Sequence, residues 1–220
     1  MEIDIKKYGN LEGITVLSGL NQSLLEKGVE EIYLDREKTA KKNFIIGMNF
    51  DLEMELIAKN EKIIEKSKTD NEIIQKIDDV LKENFNKDEI FCLDIEKFIL
   101  MKALIEQGIL IEGSTLFFLA PESETHPKFQ VILSELIVMI RKKYKADIIL
   151  ATHSPYIISA IETYKLQYEL DEQTNFYYLE KEKDKVIVAN VSADVNKIYS
   201  SLCTPFFEME DLECKLTKEN

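Results

Sequence analysis

A chain of 220 residues, 45% hydrophobic and 31% charged, has room for one compact domain with a sizeable core and is too apolar to be disordered. A net charge of −13 argues against autonomous binding to DNA, since the basic clusters, Lys38–Lys42 and Arg141–Lys145, are short. No apolar run approaches the roughly 20 residues that span a bilayer, and Cys92, Cys203 and Cys214 are scattered without CxxC spacing, as expected of reduced thiols in a cytoplasmic protein with no membrane contact.

The chain opens with two strand-like runs, "EIDIKKY" and "GITVLSG". A polar loop, "GLNQS", leads into a helical pattern from Leu24. "NFIIGMNF" is a candidate strand. The Lys/Glu-rich stretch from Asp51 to Asn84 carries Ile and Leu at helical spacing and reads as two amphipathic helices; we assign 51–92 to a small helical lobe inserted within a single 1–220 domain. Beyond it "DIEKFILMKALIEQG" predicts a helix ended by Gly108, and "STLFFLA" a strand buried on both faces. "PKFQVILSELIVMIRKKY" is a helix with Pro127 in its first turn. "ADIILATHS" is a second buried strand, and "SPYIISAIETY" a helix capped by Ser154. Two strands, "NFYYLEK" and "KVIVANV", and a helix, "ADVNKIYSSL", follow. The tail "TPFFEMEDLE" sets paired aromatics among acids and reads equally as core edge or docking segment. Alternation of strand and helix predicts an α/β fold with a mostly parallel sheet flanked by helices.

Ligands of open α/β sheets sit at the carboxyl ends of strands. Three predicted strands end in polar residues here: at Gly19–Ser23, at Glu122–His126 and at Thr152–Ser154. Glu122, Glu124 and His126 also form a candidate metal or acid–base group, since carboxylate and imidazole suit hard divalent ions.

Taken in order, "GITVLSGLNQSLLEKG", "LDIEKFILMKALIEQG", "LFFLAPESETHPKFQ", "ILATHSPYIISAI" and "VSADVNKIYSSLCTPFFEMEDL" resemble the P-loop ATPase heads of ABC type, of the SMC, RecF and OLD kind. The nearest likeness is to compact AAA-labelled ATPases of bacterial anti-phage and mobile-element loci. The resemblance covers nearly the whole chain, with a shortened middle lobe. In that family a G-x-N-x-S-G-K-S/T loop cradles phosphate with backbone N–H groups, neutralises it with lysine and holds magnesium with a hydroxyl. Gly19, Asn21 and Ser23 stand in that pattern, but Leu24, Leu25 and Glu26 replace its second glycine, lysine and hydroxyl residue. The family signature near T/S-G-x-K-x-F becomes Leu93, Asp94 and Glu96, with Phe98 kept. Where the family has an aspartate for magnesium and a glutamate for the attacking water, this chain has Leu119 and Ala120; Pro121, Glu122, His126 and Pro127 match. His153 matches a residue that contacts the terminal phosphate in active members.

The resemblance thus implies the scaffold of an ATPase without its chemistry. The expectation is a pseudo-ATPase with no catalytic residue and no cofactor, weak ATP or magnesium binding being left open. Gly19, Asn21, Ser23, Leu24, Leu25, Glu26, Asp94, Leu119, Ala120, Glu122, His126 and His153 would mark its vestigial nucleotide site. It would act through a protein partner, either an active relative or a second copy. Two enzymatic alternatives stand beside it: a composite ATPase site in a dimer, with this chain giving His153, and metal-dependent hydrolysis by Glu122, Glu124 and His126.

Overall fold

A computed structural model of the protein describes residues 8, 11–36, 42–46, 72–84, 93–108, 110–183 and 185–218. Six strands, β1 (Ile14–Gly19), β2 (Lys42–Ile46), β3 (Ser114–Leu119), β4 (Asp147–Ala151), β5 (Thr174–Glu182) and β6 (Lys185–Asn190), form one sheet in the order β2-β3-β4-β1-β5-β6. The first five run parallel, and β6 returns antiparallel along β5. Six described helices accompany them: α1 (Gln22–Arg36), α2 (Glu72–Asn84), α3 (Leu93–Glu106), α4 (Pro127–Tyr144), α5 (Pro155–Gln167) and α6 (Asn196–Lys218). The fold is therefore α/β, with a mostly parallel sheet flanked by helices.

Successive side chains of a strand point to opposite faces, so a strand covered on both sides must be apolar at both parities. Ile14, Val16, Leu116, Phe118, Ile148, Leu150, Phe176 and Tyr178 enter the larger core, together with residues of α2 to α6. Leu17, Phe117, Ile149, Ala151, Tyr177 and Leu179 enter a second core under α1. Each fully buried Phe or Leu of these layers contributes roughly 1.5–3 kcal/mol of apolar burial. Below the opposite edge of the sheet, Asp147 ties three elements together. It accepts from the Gly13 N–H at 2.8 Å, from Arg36 at 2.7 Å and from Arg141 at 3.0 Å.

The predicted strand "EIDIKKY" lies outside the described residues except for Tyr8, and so does the first helix expected in the 51–92 lobe. The second, α2, buries Ile73, Ile77 and Val80 in the larger core, and its Lys76 pairs with Glu135 of α4 at 2.5 Å. At the far end the helix predicted over "ADVNKIYSSL" does not stop. It runs through Pro205 to Lys218, and every residue from Thr204 to Thr217 is exposed. Pro205 ends neither the apolar periodicity nor the helix, because the Phe, Glu, Met and Leu residues after it keep helical spacing.

Candidate functional site

The sheet order makes β3, β4 and β1 neighbours, so the three polar strand ends singled out in the sequence meet at one edge. The first of them is not a loop of the expected size. β1 ends at Gly19 and α1 begins at Gln22, leaving only Leu20 and Asn21 between them. Asn21 caps the helix: the Leu24 N–H donates to its Oδ1 at 3.3 Å and to its carbonyl at 3.0 Å. Leu24 and Leu25 then turn into the second core, 4% and 0% exposed, beside Leu17, Phe117 and Tyr177. Residues that the resemblance sets in a phosphate-wrapping loop thus form the first turn of a helix. Two apolar side chains facing the sheet, with a capping residue just before them, start the helix early. Gly19 itself is required by packing, since a Cβ there would lie 2.2 Å from the Leu179 carbonyl oxygen of β5. Ser23 and Glu26 are exposed.

After β3 the chain turns sharply. Ala120 takes a left-handed backbone, φ 43°, while its N–H donates to the Ala151 carbonyl at 2.9 Å. Pro121 is buried, and Glu122 reaches across to the end of β4. Its Oε2 accepts from the Thr152 hydroxyl at 2.8 Å and its Oε1 from the His153 N–H at 2.7 Å. Ser154 caps α5, accepting from the Ile157 N–H at 3.3 Å, and donates to Gln130 at 2.5 Å. Gln130 donates in turn to the Thr125 carbonyl at 2.6 Å. Lys97 of α3 clamps the same turn, donating to the Ser123 carbonyl at 2.8 Å and to the Thr125 hydroxyl at 3.0 Å.

His153 joins this cluster to α1. Its Nε2 lies 2.8 Å from Gln22 Oε1, and Gln22 Nε2 donates to Glu26 at 3.1 Å. With the amide oriented that way, the imidazole carries its proton on Nε2 and donates to Gln22. His126 acts locally, its Nδ1 accepting from the Lys128 N–H at 3.2 Å as the cap of α4.

Glu122, Ser154 and Asn21 therefore each hold a backbone group in place, His153 bridges to the Gln22 side chain, and the cluster is largely closed by its own hydrogen bonds. Glu122, Glu124 and His126 are near in sequence but bond separately: Glu122 to the end of β4, His126 to the first turn of α4, and Glu124 is exposed. Among the described residues no group of three or more His, Cys, Asp or Glu is placed to hold a metal ion. Leu119 packs at the margin of the second core and adds no polar atom to the edge. Asp94 stands in the first turn of α3, and its side chain lies outside the described residues.

Gln130 and Lys97 were not singled out in the sequence, and Gln22 and Thr152 were named only as members of the polar strand ends Gly19–Ser23 and Thr152–Ser154. Gln130 had a signal, since it interrupts the apolar face of α4 between Phe129 and Leu133, where a buried polar group needs a partner. The bond of Gln22 to His153 carried none, because it depends on α1 beginning three residues ahead of Leu25.

No protein-family model matches the chain, and no curated protein matches it at a significant level. Among the described residues no helix is long and apolar enough to cross a membrane.

Proposed function

We propose that this chain is a cytoplasmic pseudo-ATPase, a P-loop NTPase scaffold of the ABC-head kind that has lost phosphoryl-transfer chemistry and acts through protein contacts. Its role would be that of regulator, subunit or decoy of an active ATPase; a setting in phage defence or mobile elements rests on the resemblance alone. The observation that carries the reading is the first turn of α1. Leu24 and Leu25, which the resemblance sets in the places of a phosphate loop's glycine and lysine, are buried under the sheet. A triphosphate set there would meet no lysine in that place and would face the carboxylates of Glu26 and Glu122. At an effective dielectric near 20, each unit-charge repulsion at about 4 Å costs roughly 4 kcal/mol. Catalysis of phosphoryl transfer is mostly positioned positive charge, and this strand edge supplies acids, amides and hydroxyls already bonded to one another, with one lysine, Lys97, committed to the turn after β3. Calorimetric titration with magnesium–ATP is expected to give no heat of binding, and radiolabelled ATP no turnover above buffer. Turnover that disappears in Glu122→Ala or His153→Ala protein would overturn the proposal.

A further inference from the structure

The last helix carries one apolar stripe with two fates. Val195, just before α6, and Ile198 are buried in the larger core, with Leu202 packed against it. The same stripe continues beyond the body as Phe206, Met209 and Leu212, which are 72%, 64% and 47% exposed, with Phe207 beside them at 58%. A helix that leaves its apolar face in water has a use for that face elsewhere.

A second unusual surface begins at the root of the same helix. A groove of about 430 Å³ lies between α4, α5 and α6, lined by Tyr156, Ser159, Thr163, Tyr164 and Tyr199 among others. Every exposed residue of α5 is uncharged: Pro155, Tyr156, Ser159, Thr163, Leu166 and Gln167. In a chain that is 31% charged, a helix face with tyrosines and no exposed charge has the composition of an interface centre. Glu162, the one carboxylate of α5, is half-buried and accepts from the Tyr199 hydroxyl at 2.6 Å.

We propose that the occupant of this groove is the exposed half of α6 from a second copy of the chain. Tyr199 lines the groove and Phe206 lies two turns further along the same helix, so tail and groove are joined on one protomer. A two-fold axis then places each tail on the other protomer's groove, a self-complementary closed contact. Phe, Met and Leu side chains at these exposures offer about 400 Å² of tail surface. As each protomer gives both a tail and a groove, a contact that covered each tail fully, and a like area of groove and exposed α5 face, would approach about 800 Å² per partner, the extent of a standard stable interface. The acids of the tail, Glu208, Glu210, Asp211 and Glu213, would lie along the rim in solvent. This pairing uses a different surface from the strand-end cluster and does not depend on the pseudo-ATPase reading.

Sedimentation and light scattering of the full chain over a dilution series test it. The expected result is a dimer whose dissociation constant rises about thirtyfold or more in Phe206→Glu and, separately, in Ser159→Arg protein, as for loss of an interface anchor. Both side chains are exposed, and circular dichroism melting checks that each variant keeps its fold. An equimolar mixture of the two variants restores one intact tail–groove contact, so it is expected to associate more tightly than either alone. A monomer at every concentration, a dimer indifferent to both substitutions, or a mixture no tighter than its components would overturn the proposal.

Discussion

At Ala120 a residue with a side chain takes a backbone that glycine adopts without penalty. Its φ of 43° brings Cβ close to the following carbonyl, at a cost of about 1 kcal/mol. The conformation holds because both sides of it are fixed: Ala120 donates to Ala151, and Glu122 two residues on accepts from Thr152 and His153. Ala120→Gly is expected to stabilise the protein by roughly 0.5–1 kcal/mol in chemical denaturation, with the unfolded chain's extra freedom setting the lower figure. A loss of stability would mean that the Ala120 methyl contributes packing that outweighs its strain. The types and order of the strand-end residues were legible in the sequence, down to Pro121, His126 and Ser154 as boundary markers. Their hydrogen-bond partners were not, because Glu122 and Thr152 are 30 positions apart and His153 and Gln22 are 131 apart. Only the sheet order brings them together.

Among the elements, α1 was legible as a helix from Leu24, and the structure begins it two residues earlier, at Gln22. The resemblance sets Leu24 and Leu25 in a phosphate-wrapping loop, where this chain has a helix turn. Spacing alone does not separate the two; the buried positions of Leu24 and Leu25 do. Putting lysine back at the motif position would therefore not rebuild a phosphate site. Leu25 is 0% exposed, and Leu25→Ala is expected to cost about 2–5 kcal/mol through the cavity it leaves. Leu25→Lys adds the cost of bringing a charge toward an apolar layer and is expected to be still less stable. Thermal melting of both variants beside a magnesium–ATP titration checks this. A Leu25→Lys protein as stable as the parent, and newly able to bind ATP, would show that α1 can unwind into a loop. The strands and α3, α4 and α5 were legible because strands apolar at both parities, and helices flanked by Pro and Gly, are each short-range signals. The outer half of α6 was misjudged at Pro205, a residue that weakens a helix without ending one that continues with good helix formers such as Glu208, Met209, Glu210, Leu212 and Glu213.

Over the whole molecule, alkaline pH acts on phenols in several places. Burial raises the Tyr8 phenol well above its ordinary range, and burial with donation to Glu162 does the same for Tyr199. Tyr168, through partial burial and its 3.1 Å donation to Glu135, is pushed from 10.0 up to about 12. A proton held more tightly in the folded than the unfolded state contributes stability that is complete below the unfolded value. That stability is lost as pH rises from 10.0 toward about 12. Melting temperature is expected to fall across this interval, and less steeply in Tyr168→Phe protein; a parallel fall in parent and variant would exclude the Tyr168 contribution. The sheet order also has a consequence in time. β1 is the first described strand in the chain, yet both its neighbours come late, since Ile14 pairs with Ile148 on one side and Thr174 on the other. Made from the N-terminus on a ribosome, the central strand has neither partner until more than half of the protein has been synthesised. The nascent chain must carry an unpaired "ITVLSG" through most of its own translation. Its folding rate is set by the closure of these long loops, and that exposed segment is the one a chaperone would have to cover.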